Sequence, residues 1–343
     1  MKVIINMAKR LIKASIRLLP FRVEIMLRNL TVVVKNKQSS WKEKLAVLKL
    51  PYLIGSPVEF FPVNRNCSEN REIIFCHSGH NGDILYSLYF CRELAAFYGM
   101  TKFRFHLRTN VGEPGLEAMG HPFKSVRMTV NGAQFLAGML KQQEYISRVT
   151  YGDELPDNAF DLDLFRKMMI NFASGQIQNY YYNLVDEHLP REFWKPVIYA
   201  EEDFKYRDKI ILIATGRYRN VFVDMAALQP FCNDLVFAGL PEEYDDFCQK
   251  YFQLEYIGKV DSMMDFAKYF AGAKGVIGNQ SGLFALAECM KIPRILVAAE
   301  YIICRKTFST GPVNVQPQGG WCESVSTTEK MVSAIKNLLD YRC

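Results

Sequence analysis

Several features that would quickly reveal the class of this protein are missing from its sequence. The 343-residue chain has no low-complexity tract and no short-period repeat, which excludes fibrous and repeat proteins. No uncharged run approaches the ~20 residues that a membrane-spanning helix needs. The nine cysteines include no Cys-x-x-Cys pair, and no signal peptide with a small-residue cleavage site is evident. We therefore expect free, largely buried thiols and a cytoplasmic location.

Positive charge is concentrated in one short part of the chain. Residues 1–50 carry twelve Lys and Arg against two acidic residues, a net charge of +10 that leaves −4 for the rest of a chain whose total is +6. Lys9, Lys13 and Arg17 repeat at a spacing of four opposite apolar residues, which predicts a basic amphipathic helix. This arm either packs on the body or binds an anionic membrane surface through residues 1–45. The acidic body and the lack of a recognisable motif argue against nucleic acid as a partner.

From residue 72 onward, short apolar runs alternate with helical patterns. Strands are predicted at 72–76, 102–107, 144–149, 209–214, 234–238, 255–257 and 275–277, and helices at 83–98, 133–140, 166–190, 222–231, 241–252, 262–270, 283–290 and 328–341. Strands that alternate with helices predict parallel, doubly wound sheets with right-handed crossovers. We therefore predict an α/β protein with two Rossmann-like domains facing a cleft, preceded by the basic helical arm. The predicted boundaries are 1–50 for the arm, 65–195 and 196–325 for the two domains, and 326–343 for a C-terminal helix packing across the domain junction.

The most informative segment of the chain is a strand, a polar loop and a helix with the sequence Gly278-Asn279-Gln280-Ser281-Gly282 at the joint. Two glycines, a hydroxyl and two amides stand where the unpaired N–H groups of a helix N-terminus attract phosphate. The loop lacks the Lys of a Walker P-loop and the spacing of a dinucleotide site. We predict that Asn279, Gln280, Ser281 and Gly282 bind the phosphates of a nucleotide-bearing ligand; the alternative is a plain turn in which Ser281 caps the helix.

Two further positions in the second half suit the same ligand. Arg217 and Arg219 follow a buried strand, and a guanidinium can fork onto phosphate oxygens, although both could also lie in a solvated surface turn. Glu288 lies on the helix that leaves the polar loop. Its carboxylate could accept both ribose hydroxyls of a nucleotide, or it could be an ordinary solvent-exposed glutamate.

A second polar loop, from Cys76 to Asp83, precedes a helix in the first half. Its glycines let the backbone turn sharply and approach a ligand. Asp83 could act as a general base towards an attacking hydroxyl, or it could cap the helix. His80, Asn81 and Gly82 are then expected on the side of the acceptor.

No metal or cofactor is predicted. His77 and His80 form a His-x-x-His pair without a nearby third ligand, which is weak evidence for a metal. Asp161 and Asp163 lie on an alternating, strand-like segment, where a pair of this kind makes a poor metal site.

Several short stretches carry a resemblance to a known family. They are Gly82-Asp83-Ile84-Leu85 at the start of a helix, Phe237-Ala238-Gly239 before an acidic helix, and Asn279-Gln280-Ser281-Gly282 with the later Ile292-Pro293. Across roughly residues 72–300 they resemble glycosyltransferase family 9, the ADP-heptose:lipopolysaccharide heptosyltransferases of GT-B fold. The resemblance implies a GT-B fold, inversion at the anomeric carbon, and the role of catalytic base for Asp83.

The chain departs from this family at two positions. Gln280 stands where the family usually has Asp, and Ala285 where it usually has His, so another nucleotide sugar could replace ADP-heptose. The stretch Ala287-Glu288-Cys289-Met290 also resembles the Glu-Ala-Met stretch of other GT-B enzymes, where the glutamate holds the ribose.

Together these patterns lead to one main hypothesis and two alternatives. The main hypothesis is a metal-independent, inverting glycosyltransferase that uses a nucleotide-diphosphate sugar and a glycan or glycolipid acceptor, such as lipopolysaccharide or another surface polysaccharide. It would work in the cytoplasm, peripheral to the inner face of the cytoplasmic membrane. The alternatives are a nucleotide-sugar epimerase or hydrolase of the same fold, and a catalytically silent GT-B-like scaffold at the membrane.

Overall fold

The computed structural model describes residues 72–112, 126–167, 177–185, 187–216, 220, 222–298, 302–304, 307–309 and 317–341. The predicted basic arm, Arg217 and Arg219 lie outside these described residues. By its contacts the chain divides into Met1–Phe60 with Arg166–Asn171, and Phe61–Phe165 with Phe172–Cys343. The second of these units holds both sheets described below. No helix in the described part of the chain is long and apolar enough to cross a membrane.

The first half forms a four-stranded parallel sheet. Its strands are β1 (Ile74–His77), β2 (Phe103–Arg108), β3 (Ile146–Gly152) and β4 (Phe160–Asp161), in the order β3-β2-β1-β4. Its helices are α1 (Asn81–Phe97), α2 (Val130–Leu140) and the short α3 (Gln178–Tyr181). The aromatic rings of Phe75, Phe103 and Phe105 are buried, as expected for a parallel sheet covered on both faces.

The second half forms a six-stranded parallel sheet. Its strands are β5 (Ile210–Ile213), β6 (Leu235–Phe237), β7 (Glu255–Tyr256), β8 (Gly275–Gly278), β9 (Arg294–Val297) and β12 (Cys322–Val325), and a separate antiparallel hairpin contains β10 (Ile302–Cys304) and β11 (Thr307–Ser309). Its helices are α4 (Pro241–Lys250), α5 (Met263–Gly272), α6 (Gly282–Met290) and α7 (Thr328–Asp340). The strand order β7-β6-β5-β8-β9-β12 is that of a dinucleotide-binding Rossmann sheet. The prediction of two Rossmann-like sheets is confirmed.

Three cysteines in the described part of the chain contribute to the core as free thiols. Cys76, Cys91 and Cys289 are free and buried. Burial raises the pKa of all three thiols, so they stay protonated and pack as small apolar groups. The prediction of buried free thiols is confirmed for these three positions.

Two predicted helices take a tighter form. A 3-10 helix at Leu162–Lys167 overlaps the start of the predicted helix 166–190. Within that range the structure describes the short α3 and a 3-10 turn at Tyr182–Leu184, while 168–176 lie outside the described residues. The helix predicted at 222–231 is a 3-10 helix at Met225–Asp234 that contains Pro230. Proline has no N–H and its ring clashes with the carbonyl four residues earlier, which prevents a continuous α-helix there.

The C-terminal helix α7 has its buried face on the second sheet. Packing of this segment across the domain junction stays a prediction. Met331, Ala334, Ile335 and Leu338 are buried within the core formed around that sheet. Spacings of three and four residues place these side chains on one stripe of the helix. The edge strand β12 and its neighbour β9 cover that stripe.

The two sheet domains contact each other through pairs of helices. Helix α1 packs on α6, and α2 packs on α5. In the second pair, the ring centroids of Phe135 and Phe266 are 6.4 Å apart, and Gly138 lies against Ser262.

Candidate functional site

The two glycine-containing loops predicted from the sequence meet at the N-terminal turns of α1 and α6. A Cβ atom built on Gly282 would lie 3.2 Å from the Asn81 Cβ, and one built on Gly82 would lie 3.6 Å from the Ala285 Cβ. The missing side chains therefore allow two helix N-termini from different domains to approach closely. The N–H groups and dipoles of both ends favour negative charge at this place.

Ala285 helps to explain one departure from the family pattern. Its side chain is buried at the crossing of α1 and α6 beside Gly82. A histidine at this position would have to fit against the backbone of α1. The small residue therefore suits the close packing of these two helices.

Asn279 joins the ends of β5 and β8, which are neighbours at the point where the strand order of the second sheet reverses. Its Nδ2 donates to the Thr215 carbonyl (2.7 Å), and its Oδ1 accepts from the Thr215 N–H (3.1 Å) and hydroxyl (3.3 Å). Ligands of open α/β sheets bind at such reversal points. The Asn279 side chain holds the loop, and its backbone N–H donates to the Ile213 carbonyl at 3.3 Å. Any phosphate contact would therefore come from the N–H groups that follow Asn279.

Ser281 caps α6, as the alternative interpretation of the loop proposed. Its hydroxyl accepts the Phe284 N–H at 3.2 Å. Steric crowding explains why position 278 is a glycine. A Cβ there would lie 2.7 Å from the Ile213 Cβ and 2.8 Å from the Ile213 oxygen. Gln280 and Gly282 are partly exposed. Phosphate binding by this loop stays a prediction.

Glu288 is fully buried, contrary to the solvent-exposed alternative. Its Oε1 accepts from Lys291 Nζ at 2.6 Å and its Oε2 from Arg294 Nε at 2.5 Å. Burial lowers the pKa of Lys291, and the Glu288 carboxylate opposes that effect. A ribose could reach Glu288 only by displacing one of these partners. Ribose binding by Glu288 stays a prediction.

Arg294 extends this buried network to the segment before β12. Its side chain is fully buried, and its guanidinium donates to the carbonyls of Ile292, Gln318 and Gly319, each at 2.9 Å. Sequence reasoning missed this arginine because it lies within an apolar strand that carries no other charge.

Asp83 occupies the third position of α1 and is partly exposed. The N-cap position is His80, three residues earlier, so Asp83 is not the N-cap residue that the alternative interpretation suggested. The first residue of α1 is Asn81, so Asp83 lies within the first turn of the helix. A carboxylate in this first turn is favoured by the helix dipole.

Beneath the first loop lies a polar cluster that the sequence did not reveal. Asp163 Oδ2 accepts from the backbone N–H of Ser78 at 2.9 Å and from the Ser78 hydroxyl. Arg127 Nη1 donates to the same hydroxyl at 3.2 Å, and its backbone carbonyl lies 3.1 Å from His80 Nδ1. These partners are 85 and 47 residues from the loop, so no local pattern could have indicated them.

The acidic pair and the histidine pair have structural partners. Asp161 Oδ1 accepts the Asp163 N–H at 2.9 Å, a turn bond. His77 is fully buried and lies within hydrogen-bond distance of Tyr181 and Gly79. Across the described ranges no group of three or more His, Cys, Asp or Glu side chains is arranged to hold a metal ion. Independence from metal stays a prediction.

No protein-family model matches this sequence, and no curated protein matches it. Among solved structures it is similar to the glycosyl transferase family 9 protein from Veillonella parvula DSM 2008, with 11% identity, a TM-score of 0.48, and coverage of 78% of this chain and 97% of that one. It is also similar to E. coli ADP-heptose lps heptosyltransferase II, with 12% identity, a TM-score of 0.42, and coverage of 78% and 98%. E. coli heptosyltransferase WaaC with ADP gives 13%, 0.39, 78% and 98%. All three are glycosyltransferases.

The chemistry available at the meeting point follows from the chain's own residues. A carboxylate in the first turn of α1 lies close in sequence to the contact between Gly82 and Gly282. The N-terminus of α6 offers N–H groups for an anion, and the end of β5 leads into 217–219. A carboxylate in the first turn of one helix and the N-terminus of another, from two domains, are thereby brought together.

Proposed function

We propose that this protein is a metal-independent, inverting glycosyltransferase that transfers a sugar from a nucleotide-diphosphate donor to a glycan or glycolipid acceptor. The observation that supports this proposal is the contact of Gly82 with Gly282. It brings the Asp83 turn and the Ser281 turn, about 200 residues apart in sequence, to one place. A transferase of this kind needs both a base for the acceptor and a site for the leaving diphosphate.

The proposed reaction is a single displacement. Asp83 takes the proton of an acceptor hydroxyl, and the oxygen attacks the anomeric carbon on the face opposite to the diphosphate. The bond from that carbon to the diphosphate oxygen breaks, and the nucleoside diphosphate leaves with its electron pair. Backside attack inverts the anomeric configuration. The product Asp83 carboxylic acid then releases its proton to water.

The donor side of the site is assigned to the second domain. The diphosphate would lie on the 279–282 loop, at the N–H groups of Gln280, Ser281 and Gly282, because the Asn279 N–H donates to the Ile213 carbonyl at 3.3 Å. Its charge would be balanced by Arg217 and Arg219. The reversal of strand order between β5 and β8 supports this position, since ligands of such sheets bind there. Glu288 would reach the ribose only after local rearrangement of its ion pairs, so its ribose role is the most demanding part of the proposal.

The acceptor side is assigned to His80, Asn81 and Gly82 in the first domain. A lipopolysaccharide or another surface polysaccharide precursor is the acceptor class we propose, presented at the inner face of the cytoplasmic membrane. The basic charge of residues 1–45 supports attachment to anionic lipid. Because Gln280 and Ala285 depart from the heptosyltransferase pattern, the donor sugar is not restricted to heptose.

The base role of Asp83 is tested by Asp83→Asn. We expect turnover to fall by about 10²–10⁴-fold while the affinity for the nucleoside diphosphate stays unchanged, because the amide cannot take the proton. Asp208→Asn is the matched control, since Asp208 is exposed and far along the chain from the loop. Turnover is measured with radiolabelled donors, and affinity by calorimetry against ADP, UDP, GDP and CMP. Near-normal turnover of Asp83→Asn would reject the assignment.

The same measurements separate the alternatives. Conversion of the donor in the absence of any acceptor would indicate an epimerase or hydrolase. Failure to bind any of the four nucleotides would indicate a non-catalytic scaffold. Membrane attachment is checked separately by sedimentation with anionic liposomes. The chain lacking residues 1–45 should stay in the supernatant, and equal pelleting of both forms would reject the role of the arm.

A further inference from the structure

A buried hydrogen-bonded chain runs from the core of the first domain to the backbone of Asp83. The Tyr181 hydroxyl donates to the Asp83 carbonyl at 2.8 Å. The other side of that hydroxyl lies 2.9 Å from His77 Nε2. Both His77 and Tyr181 are fully buried. A phenol has one proton, and here it goes to Asp83, so the His77 ring supplies the proton of the second bond.

The His77 ring is also fixed at its other nitrogen. Nδ1 lies 2.9 Å from the Gly79 nitrogen. Asp163 Oδ1 lies 3.0 Å from the same Nδ1. Phe165 and Tyr181 enclose the ring, with centroids 6.1 and 5.6 Å away. The imidazole therefore has one well-defined orientation.

At Gly79 the loop packs closely between the His77 ring and the Asp83 side chain. A Cβ on Gly79 would lie 2.5 Å from His77 Cε1 and 3.0 Å from the Asp83 Cβ. Ser78 is held independently by Asp163 and Arg127. Residues 77–80 are thus fixed from below by side chains that reach them from three distant parts of the chain.

We propose that Tyr181 and His77 are positioning residues that hold the first turn of α1, and with it the Asp83 carboxylate, in the orientation needed for proton transfer. This inference rests on the proposed function for the role of Asp83, while the hold on the loop can be measured without any activity. Misplacing a catalytic group by about 1 Å can lower the rate on the order of 10²-fold. Hydrogen bonds that fix the first turn of α1 can therefore affect the rate strongly.

The test compares two neighbouring tyrosines. Tyr181→Phe removes the hydroxyl that holds Asp83. Tyr182→Phe removes a buried hydroxyl that also donates at 2.8 Å, but to Glu93. We expect Tyr181→Phe to lower kcat about 10–100-fold with little change in the donor KM, and Tyr182→Phe to change kcat less than about threefold. Equal losses in the two variants would overturn the inference.

Three further variants separate positioning from simple loss of structure. In the Asp83→Asn background, Tyr181→Phe should cause almost no further loss, because it acts through a base that is already absent. The same loss in both backgrounds would show a general structural effect and reject the proposal. His77→Leu should reproduce the Tyr181→Phe defect, and His77→Gln should restore much of the rate because its amide N–H can still donate to Tyr181.

Hydrogen exchange keeps this inference separate from the proposed function. Exchange of the 76–84 peptide should become faster in Tyr181→Phe and stay unchanged in Tyr182→Phe, whose effect should appear near 191–193, where backbone N–H groups also bond to Glu93. Unchanged exchange at 76–84 would overturn the hold, whatever the activity. Faster exchange in a protein that transfers no sugar from any donor would retain the hold and reject the transferase.

Discussion

At the scale of single residues, the structural role of Glu288 differs from the roles that its sequence context suggests. Its sequence context suits a ribose ligand or a solvated surface residue. In the structure it is the centre of a buried cluster with Arg294 and Lys291, and its Oε1 also accepts the Gln318 N–H at 3.1 Å. The cluster ties α6 and β9 to the segment before β12. Its first effect is therefore on folding.

We expect Glu288→Gln to destabilise the protein strongly. Neutralising this carboxylate leaves the fully buried Arg294 without a counter-charge, and breaking a buried ion pair costs about 3–5 kcal/mol. The exposed residue Glu201 provides the matched control, since Glu201→Gln should change the free energy of unfolding by less than about 0.5 kcal/mol. Urea unfolding followed by circular dichroism measures both. A loss below about 1 kcal/mol for Glu288→Gln would contradict this description.

At the scale of elements, the strands and most helices could be predicted because their signals are local. The buried run from Ile210 to Ile213 and the Ser281 cap with its following apolar helix are encoded within a few residues. The helix predicted at 222–231 is a 3-10 helix at Met225–Asp234, because Pro230 lacks the N–H that a continuous α-helix needs. The polar residues of the loop after β8 allowed it to be predicted as a binding loop. One of its glycines, Gly278, is also required by close packing against Ile213.

Gly278→Ala should test that packing cause. The new methyl group would lie 2.7 Å from the Ile213 Cβ and 2.8 Å from its carbonyl oxygen, and the strand backbone cannot move away easily. We expect a loss of about 1–3 kcal/mol in the free energy of unfolding. Gly216→Ala, three residues past β5, meets nothing within 4 Å, so it should be neutral or stabilising by up to about 1 kcal/mol. Equal melting temperatures of the two variants would refute the steric explanation.

At the scale of the whole molecule, the close approach of α1 to α6 and of α2 to α5 connects the two sheets. Gly82, Gly282 and Gly138 each stand where a larger residue would meet the facing helix. Burial of Phe266 and of the α6 residues Phe284 and Ala285 adds apolar contact near these crossings. The two domains should therefore lose their structure together.

We expect calorimetry to show one cooperative unfolding transition for both sheets. Gly138→Leu should lower its midpoint or divide it in two, because a Cβ at 138 would already lie 2.9 Å from the Ser262 Cβ. Gln134→Leu adds the same side chain to an exposed position of the same helix, one turn earlier, and should leave a single transition. Two resolved transitions in the unmodified protein would show that the helix contacts do not couple the domains.

The sequence by itself determined the alternation of strands and helices, the parallel character of both sheets and the two polar loops, because periodicity, caps and turns act over a few residues. Tertiary structure decided which side chains surround those loops. The partners of His77, Ser78 and His80 lie 104, 85 and 47 residues away, and the Gln318 N–H that bonds to Glu288 lies 30 residues away. Contacts of this range depend on how helices and sheets pack, and no local pattern of residues encodes them.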